Sequence, residues 1–257
     1  RSAGFEDTLP VSGQTYPRKF DYSTVAALGG IAISASRVAN DVRLLSGVGE
    51  MAEPFEKEQI GSSAMAYKQN PMRSERMTAL GRHLLTLVPE AAATASTQWL
   101  ERTLDDSAGR RIYIPEAFLA ADAILRLVVN VARGLHVNEA VADARLRKEL
   151  PFMATEEILM LGVKAGGDRQ ALHERIRVHS LAAKERVLEG AERNDLIDRL
   201  GADEAFAAVR DELDGMLVPE RFTGLAARQT ERFLAEHVDP ALQPYVDGLG
   251  EEVDIRI

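Results

Sequence analysis

The sequence predicts an all-α protein: a bundle of long helices followed by a smaller set of short ones. Three observations carry that expectation. Apolar residues recur at helical spacing over three long stretches. No run of β-branched residues alternates with a period of two. Aromatics are scarce at 5% while Ala and Leu are plentiful, which favours close helix packing over sheet packing.

The first long helix is read from Leu28, Ile31, Ala35, Val38, Val42 and Leu45, spaced 3, 4, 3, 4 and 3 in a heptad-like seam. Ala32, Ala35 and Ala39 are small enough to let a neighbouring helix approach closely. The second is read from Met77, Leu80, Leu84 and Leu87, with Pro89 expected to kink or break it. The third is read from Phe118, Ala121, Leu125, Val128 and Ala132 on one face, with Pro115 in its first turn and Gly134 at its C-terminal cap. After Gly134 shorter amphipathic helices are expected near 138–149, 154–165, 169–188, 203–215, 223–236 and 239–248. The change of texture places a boundary near 137, between a bundle domain (1–137) and a C-terminal helical domain (138–257). Long helices with narrow seams imply an oligomeric bundle.

With 257 residues, 46% hydrophobic, the chain can bury one large core or two smaller ones. It has no cysteine, which excludes disulfides, thiolate metal sites and a cysteine nucleophile, and is compatible with a cytoplasmic protein. No apolar run approaches the length of a transmembrane helix. The N-terminus has neither an initiator Met nor the layout of a signal peptide, so a fragment or processed product is expected. A net charge of -9 argues against a nucleic-acid surface. An acidic protein that handles an anionic substrate must concentrate its cations locally.

Two stretches do so. In Gly61-Ser-Ser-Ala-Met-Ala-Tyr-Lys-Gln-Asn-Pro71, small residues let backbone amides converge on an anion, while Lys68 and Asn70 add a cation and a neutral donor. On composition alone it is equally a solvated connection. In the second, Ser107 and Arg111 stand one helical turn apart, and a hydroxyl with a guanidinium suits a phosphate. The plainer reading is a surface ion pair of Arg102 with Asp105 or Asp106. Glu75, taken alone, is a solvated helix residue.

The first stretch resembles the signature loop of the fumarase/aspartase superfamily, Gly-Ser-Ser-x-Met-Pro-x-Lys-x-Asn-Pro, departing from it only at Ala66, where the family has proline. Flanking segments are similar to the adenylosuccinate lyase branch: Gly13-Gln-Thr-Tyr16, Glu53-Pro-Phe-Glu-Lys57, Met72-Arg-Ser-Glu-Arg76 and Gln98-Trp-Leu-Glu-Arg-Thr-Leu-Asp-Asp-Ser107. So are Glu149-Leu-Pro-Phe-Met-Ala-Thr-Glu156, Val163-Lys-Ala-Gly-Gly167 and Asn194-Asp-Leu-Ile197. The likeness implies a carbon–nitrogen lyase of purine biosynthesis that releases fumarate from adenylosuccinate, giving AMP, and from the related succinylated carboxamide ribotide. It implies Ser62 as the base, Lys68 and Asn70 as stabilisers of the carbanion, and Glu75 as partner of a general-acid histidine. Gln14, Arg76, Arg102, Ser107 and Arg111 would bind the nucleotide. It implies no metal or organic cofactor, no nucleic acid or membrane partner, and a homotetramer whose active sites are shared between subunits.

None of His83, His136, His173, His179 and His237 lies in a segment resembling the family's histidine motifs. His83 and His136 read as packing or capping residues, the other three as solvated. The chain is therefore expected to begin inside the central bundle domain, without the general acid, and to have little or no lyase activity alone. Two alternatives stand beside this reading. Argininosuccinate lyase is the nearest enzyme, although an amino-acid substrate needs no phosphate site. A non-catalytic oligomerisation fragment is the other.

Overall fold

Three long helices, successive ones antiparallel, make the first of two units in the computed structural model. The structure describes residues 4, 7–56, 59, 64–65, 67–250 and 255. One unit comprises Arg1–Asn138 with Glu252–Ile257, the other Glu139–Glu251.

Helix α1 spans Lys19–Gly47, α2 Met72–Ser96 and α3 Leu104–Gly134. Helix α1 ends where Gly49 takes a positive φ of 77°, which lets Glu50 N–H return to Leu45 O at 2.9 Å. Helix α3 begins with a capping box: Thr103 accepts from Asp106 N–H and the Asp106 carboxylate accepts from Thr103 N–H. That box starts the helix well before Pro115, which lies inside it rather than in its first turn. Pro89 likewise lies inside α2, and the helix continues past it. Packing on both sides of each proline compensates for the lost backbone hydrogen bond.

The core of this unit forms three layers along the bundle. Val25, Ala91, Tyr113 and Ala117 make one end, Ala32, Ala35, Leu84, Ala121 and Ile124 the middle, and Ala39, Val42, Met77, Leu127 and Val131 the other end. On α1 the small residues are the buried stripe, while Val38 is exposed. On α3 the expected face is rotated: Phe118 and Leu125 are exposed, and Ala117, Ala120 and Ile124 are buried instead. Gly81 permits a close approach of α1 and α2, since a Cβ there would collide with Ser36 Oγ.

Among the described residues the only strands are β1 (Met51–Ala52) and β2 (His136–Val137), an antiparallel pair with Met51 opposite Val137 and Ala52 opposite His136. The all-α class therefore holds with this small exception. Asn138 extends the attachment, its N–H to Glu50 O at 2.9 Å and its Nδ2 to Gly49 O at 2.7 Å.

The second unit contains α4 (Glu139–Met153), α5 (Thr155–Lys164), α6 (Arg169–Leu188) and α7 (Leu196–Ala202). Gly166, at a φ of +98°, turns the chain between α5 and α6, and a Cβ on Gly167 would come within 2.6 Å of Leu172 Cδ1. Asn194 starts α7, accepting from Leu196 N–H at 3.0 Å and donating to Lys148 O at 2.7 Å. Ile158, Leu172, Leu196, Leu200, Phe206 and Leu213 centre this core. The stretch expected as an α-helix at 203–215 is 3-10 helix over Glu204–Glu212 and Asp214–Met216. Beyond it α8 (Ala226–Phe233) runs through a π turn (Leu234–Val238) into α9 (Asp239–Leu242), and no described residue from Pro219 to Gly250 is buried. Among the described residues no helix is long and apolar enough to cross a membrane.

Candidate functional site

The chain on either side of residues 57–71 is tied to the N-terminus of α2. Glu53, buried, accepts from Arg73 N–H at 2.7 Å, from Ser74 N–H at 3.0 Å and from Ser74 Oγ at 3.0 Å. A carboxylate at a helix N-terminus satisfies orphan donors and sits favourably in the helix dipole. Arg73, fully buried, donates to Pro54 O and, at 2.8 Å, to Glu56 Oε1.

Above this neck lies an open cleft of about 660 Å³. The end of α1 contributes Asn40, Arg43 and Ser46, the chain entering α2 contributes Lys68 and Asn70, and the first turn of α2 contributes Glu75. Arg43 donates from one terminal nitrogen to Asn40 Oδ1 and Thr78 Oγ1, both at 3.3 Å. Two cations, the amides of Asn40 and Asn70 and a carboxylate thus converge on one concavity. Such a set can hold a dicarboxylate and stabilise negative charge that develops on it. Ser62 lies outside the described residues, as does Ala66. Arg76 is exposed on α2 and does not line the cleft.

No histidine of the chain lines it. His83 meets Glu116 at 2.9 Å on the bundle surface, and His136 is exposed in β2. His179 is not simply solvated: half-buried, it meets Asp203 at 2.8 Å. That hydrogen bond, with the one from Ala205 N–H, holds the Asp203 carboxyl below its ordinary value.

The remaining predicted residues gather at the opposite end of the bundle. Gln14 Oε1 accepts from Arg102 N–H at 2.7 Å. Gln98 straps the same segment down, accepting from Arg18 N–H at 2.7 Å and donating to Thr15 Oγ1 at 3.2 Å and Tyr16 O at 3.1 Å. Ser107 is buried in the first turn of α3, and Arg111, one turn on, is exposed. The guanidinium groups of Arg102 and Arg111 make no ion pair among the described residues. Asp106 is committed elsewhere, to Arg18 Nε at 2.6 Å. Beside it Tyr16 donates to Asp21 at 2.7 Å and lies under the guanidinium groups of Arg18 and Arg110, at 4.6 and 5.2 Å from the ring centre. Burial, and then the hydrogen bond to Asp21, raise the Tyr16 hydroxyl above its ordinary value.

These two clusters do not share one site within a chain. Glu75 belongs to the layer of Met77, whereas Tyr113, next to Arg111, packs with Ala91. Sixteen residues of helix separate Glu75 from Ala91, about 24 Å along the α2 axis. Sequence reasoning assigned no role to Glu53, Arg73, Arg43 or Gln98. The one available signal was that three of them fall in the segments flanking the signature loop and preceding α3.

Residues 151–233 match the family described as the C-terminus of adenylosuccinate lyase, and residues 6–85 match the family described as lyase. The adenylosuccinate lyase of Saccharomyces cerevisiae is 51% identical over 249 residues, which cover 97% of this chain and 52% of that protein. That of Schizosaccharomyces pombe is 46% identical over 256 residues, 99% of this chain and 53% of that protein. The chain thus spans about half the length of the curated relatives it matches. Among solved structures, a 3-carboxy-cis,cis-muconate lactonizing enzyme from Pseudomonas putida superposes with a TM-score of 0.70 at 23% identity, over 84% of this chain and 46% of that one. A fumarate lyase:delta crystallin from Brucella melitensis bound to cobalt superposes at 0.56 and 21% identity, over 78% of this chain and 40% of that one. These two likenesses are of fold alone.

Proposed function

The chain belongs to the adenylosuccinate lyase family, and from that premise we propose that it takes part in the elimination of fumarate from adenylosuccinate, leaving AMP, and from the succinylated aminoimidazole carboxamide ribotide of purine biosynthesis. The observation that carries this reading is the convergence of Lys68, Asn70 and Glu75 on one cleft beside the neck of the signature loop.

In this reading Ser62 removes a proton from the succinyl carbon next to a carboxylate. The electron pair passes into an aci-carboxylate, whose charge Lys68 and Asn70 stabilise. It then forms the fumarate double bond as the C–N bond breaks, and the pair on nitrogen receives a proton from a histidine that Glu75 holds in its charged form. A serine is a weak base in water, so the site must exclude water around Ser62 as substrate binds. Gln14, Arg76, Arg102, Ser107 and Arg111 receive the nucleotide, with the guanidinium groups of Arg102 and Arg111, which make no ion pair among the described residues, meeting its phosphate.

The separation of about 24 Å between the two clusters supports shared sites, in which one chain lends its signature loop to one site and its Arg102–Arg111 turn to another. A homotetramer in the cytoplasm is the assembly this reading takes. The test is fumarate release from adenylosuccinate, followed by absorbance, for the chain alone and mixed with the N-terminal half of the yeast relative. Turnover that disappears in Ser62→Ala and Lys68→Ala supports the reading. A well-formed oligomer inactive under both conditions overturns it.

A further inference from the structure

We propose that Glu53 and Arg73 are positioning residues that set the place of Lys68, Asn70 and Glu75 by fastening both limbs of the signature loop to the N-terminus of α2. The inference rests on the reading of that cleft as catalytic and names what holds its geometry.

The two residues bond each other's segments, although Arg73 Nε is buried with no hydrogen-bond partner among the described residues. The Glu53 carboxylate takes the backbone N–H of both Arg73 and Ser74 and the Ser74 hydroxyl, at 2.7, 3.0 and 3.0 Å. The Arg73 guanidinium reaches back to the limb that carries Glu53, bonding Pro54 O and, at 2.8 Å, Glu56. Both are charged and buried, Glu53 at 6% exposure and Arg73 at 0%. Surface residues of these types are almost never fully buried unless they are paired, so the burial marks a built junction.

That junction is anchored on its far side as well. Pro54 packs against the end of α3, where a Cβ on Gly134 would lie 2.5 Å from Pro54 Cβ. The β1–β2 pair and Asn138 attach residues 49–52 to the same place. On the near side the coupling to the cleft is short. Met72 N–H bonds Asn70 O at 2.8 Å, and Glu75 N–H bonds Pro71 O at 2.9 Å. A displacement of the Arg73 backbone therefore passes to Asn70 and Glu75 through one or two peptide units, with no flexible segment between.

The chemistry of replacement makes this testable. Glu53→Gln preserves shape but turns an NH₂ group toward backbone donors that require an acceptor. Arg73→Met removes the link to Pro54 and Glu56 and keeps an apolar stem. Arg73→Lys keeps the charge with one point of contact in place of a fork. The experiment uses the fumarate-releasing assembly, measuring kcat and KM separately, together with hydrogen exchange at residues 67–75 and at 117–127 in the bundle core.

Glu53→Gln and Arg73→Met are expected to lower kcat on the order of 100-fold, the scale of a misplacement near 1 Å, with KM little changed. Exchange at 67–75 rises while exchange at 117–127 does not, and Arg73→Lys recovers part of kcat. An unchanged kcat in an active assembly, or a loss accompanied by equal loosening of 117–127, overturns the proposal. If the unsubstituted assembly releases no fumarate, the lyase reading is what has failed. The exchange measurement then decides alone: selective loosening of 67–75 upholds the positioning role, and its absence overturns it.

Discussion

Arg18 donates from Nε to Asp106 at 2.6 Å across 88 residues of sequence, with side chains only 3% and 5% exposed. The pair joins the entry of α1 to the first turn of α3, where Asp106 also closes the Thr103 capping box. Removing one partner strands a buried charge, so Asp106→Ala is expected to cost about 3–5 kcal/mol. Arg18→Met should cost a similar amount. The double variant should lose less than the sum, with a coupling of about 1–3 kcal/mol measured by urea denaturation of all four proteins. Additive losses would show that the pair is incidental.

The same carboxylate predicts an acid limit to stability. Burial alone would raise the Asp106 carboxyl, but the hydrogen bond and charge of Arg18 and the N–H of Thr103 outweigh it and hold it below its ordinary value of 3.8. Asp195 is lowered chiefly by its ion pair with Arg199 at 2.9 Å, and Asp203 by its hydrogen bond to His179. Groups depressed by folding stabilise the fold above their unfolded value, and that contribution is lost as pH falls through the folded values. The urea midpoint should change little between pH 7 and 5 on account of these groups and fall below about pH 4. Asp106→Asn should lower the midpoint at neutral pH and make the acid dependence shallower. An acid limb as steep as that of the unsubstituted protein would assign the effect to other carboxylates.

What was legible in the sequence follows physical lines. Ala32, Ala35 and Ala39 announced close packing because small residues at helical spacing leave few alternatives, and all three are buried. Phe118 and Leu125 misled, since periodicity gives the period but not which of two adjacent apolar faces meets the neighbour. Here the smaller face, Ala117, Ala120 and Ile124, turns inward. Pro89 read as a kink or break and Pro115 as a first-turn residue because the rule is local, whereas tertiary packing holds both helices together. The 3-10 run at 204–212 has the same apolar spacing over so short a length as an α-helix would. In the candidate site, Lys68, Asn70 and Glu75 are neighbours in sequence and could be read as one group. The grip of Glu53 on Arg73 and Ser74 spans 20 and 21 residues and exists only once Glu53 has been brought back to the N-terminus of α2.

Gly134 gives a conservative probe of that grip. A methyl group there would lie 2.5 and 2.7 Å from Cβ and Cγ of Pro54, a rigid ring that cannot rotate away. Gly134→Ala is expected to destabilise by about 1–3 kcal/mol, the usual scale of overpacking. Because Pro54 O is a partner of Arg73, the strain should also loosen the neck. Hydrogen exchange near residues 51–56 should rise more than exchange in the second unit. Equal or greater stability in thermal unfolding would show that Pro54 yields without disturbing its neighbours.

The opposite placement of the two clusters carries the most direct prediction about assembly. On the proposed roles, Ser62→Ala should disable the signature-loop end and Arg111→Ala the other end, the level of Ala91, about 24 Å from Glu75 along the α2 axis. If both ends served one site in one chain, mixing the two variants could not restore that site. If each site draws its loop and its phosphate-binding turn from different chains, random mixing leaves roughly a quarter of the sites with both contributions intact. Two proteins that are each inactive should then recover, after dissociation and reassembly together, up to roughly a quarter of the unsubstituted rate per site. Mixing without dissociation serves as the control and should restore nothing at first. No recovery from well-formed mixed oligomers would mean that the two ends work within one chain, and that the separation along α2 has to be bridged by another route.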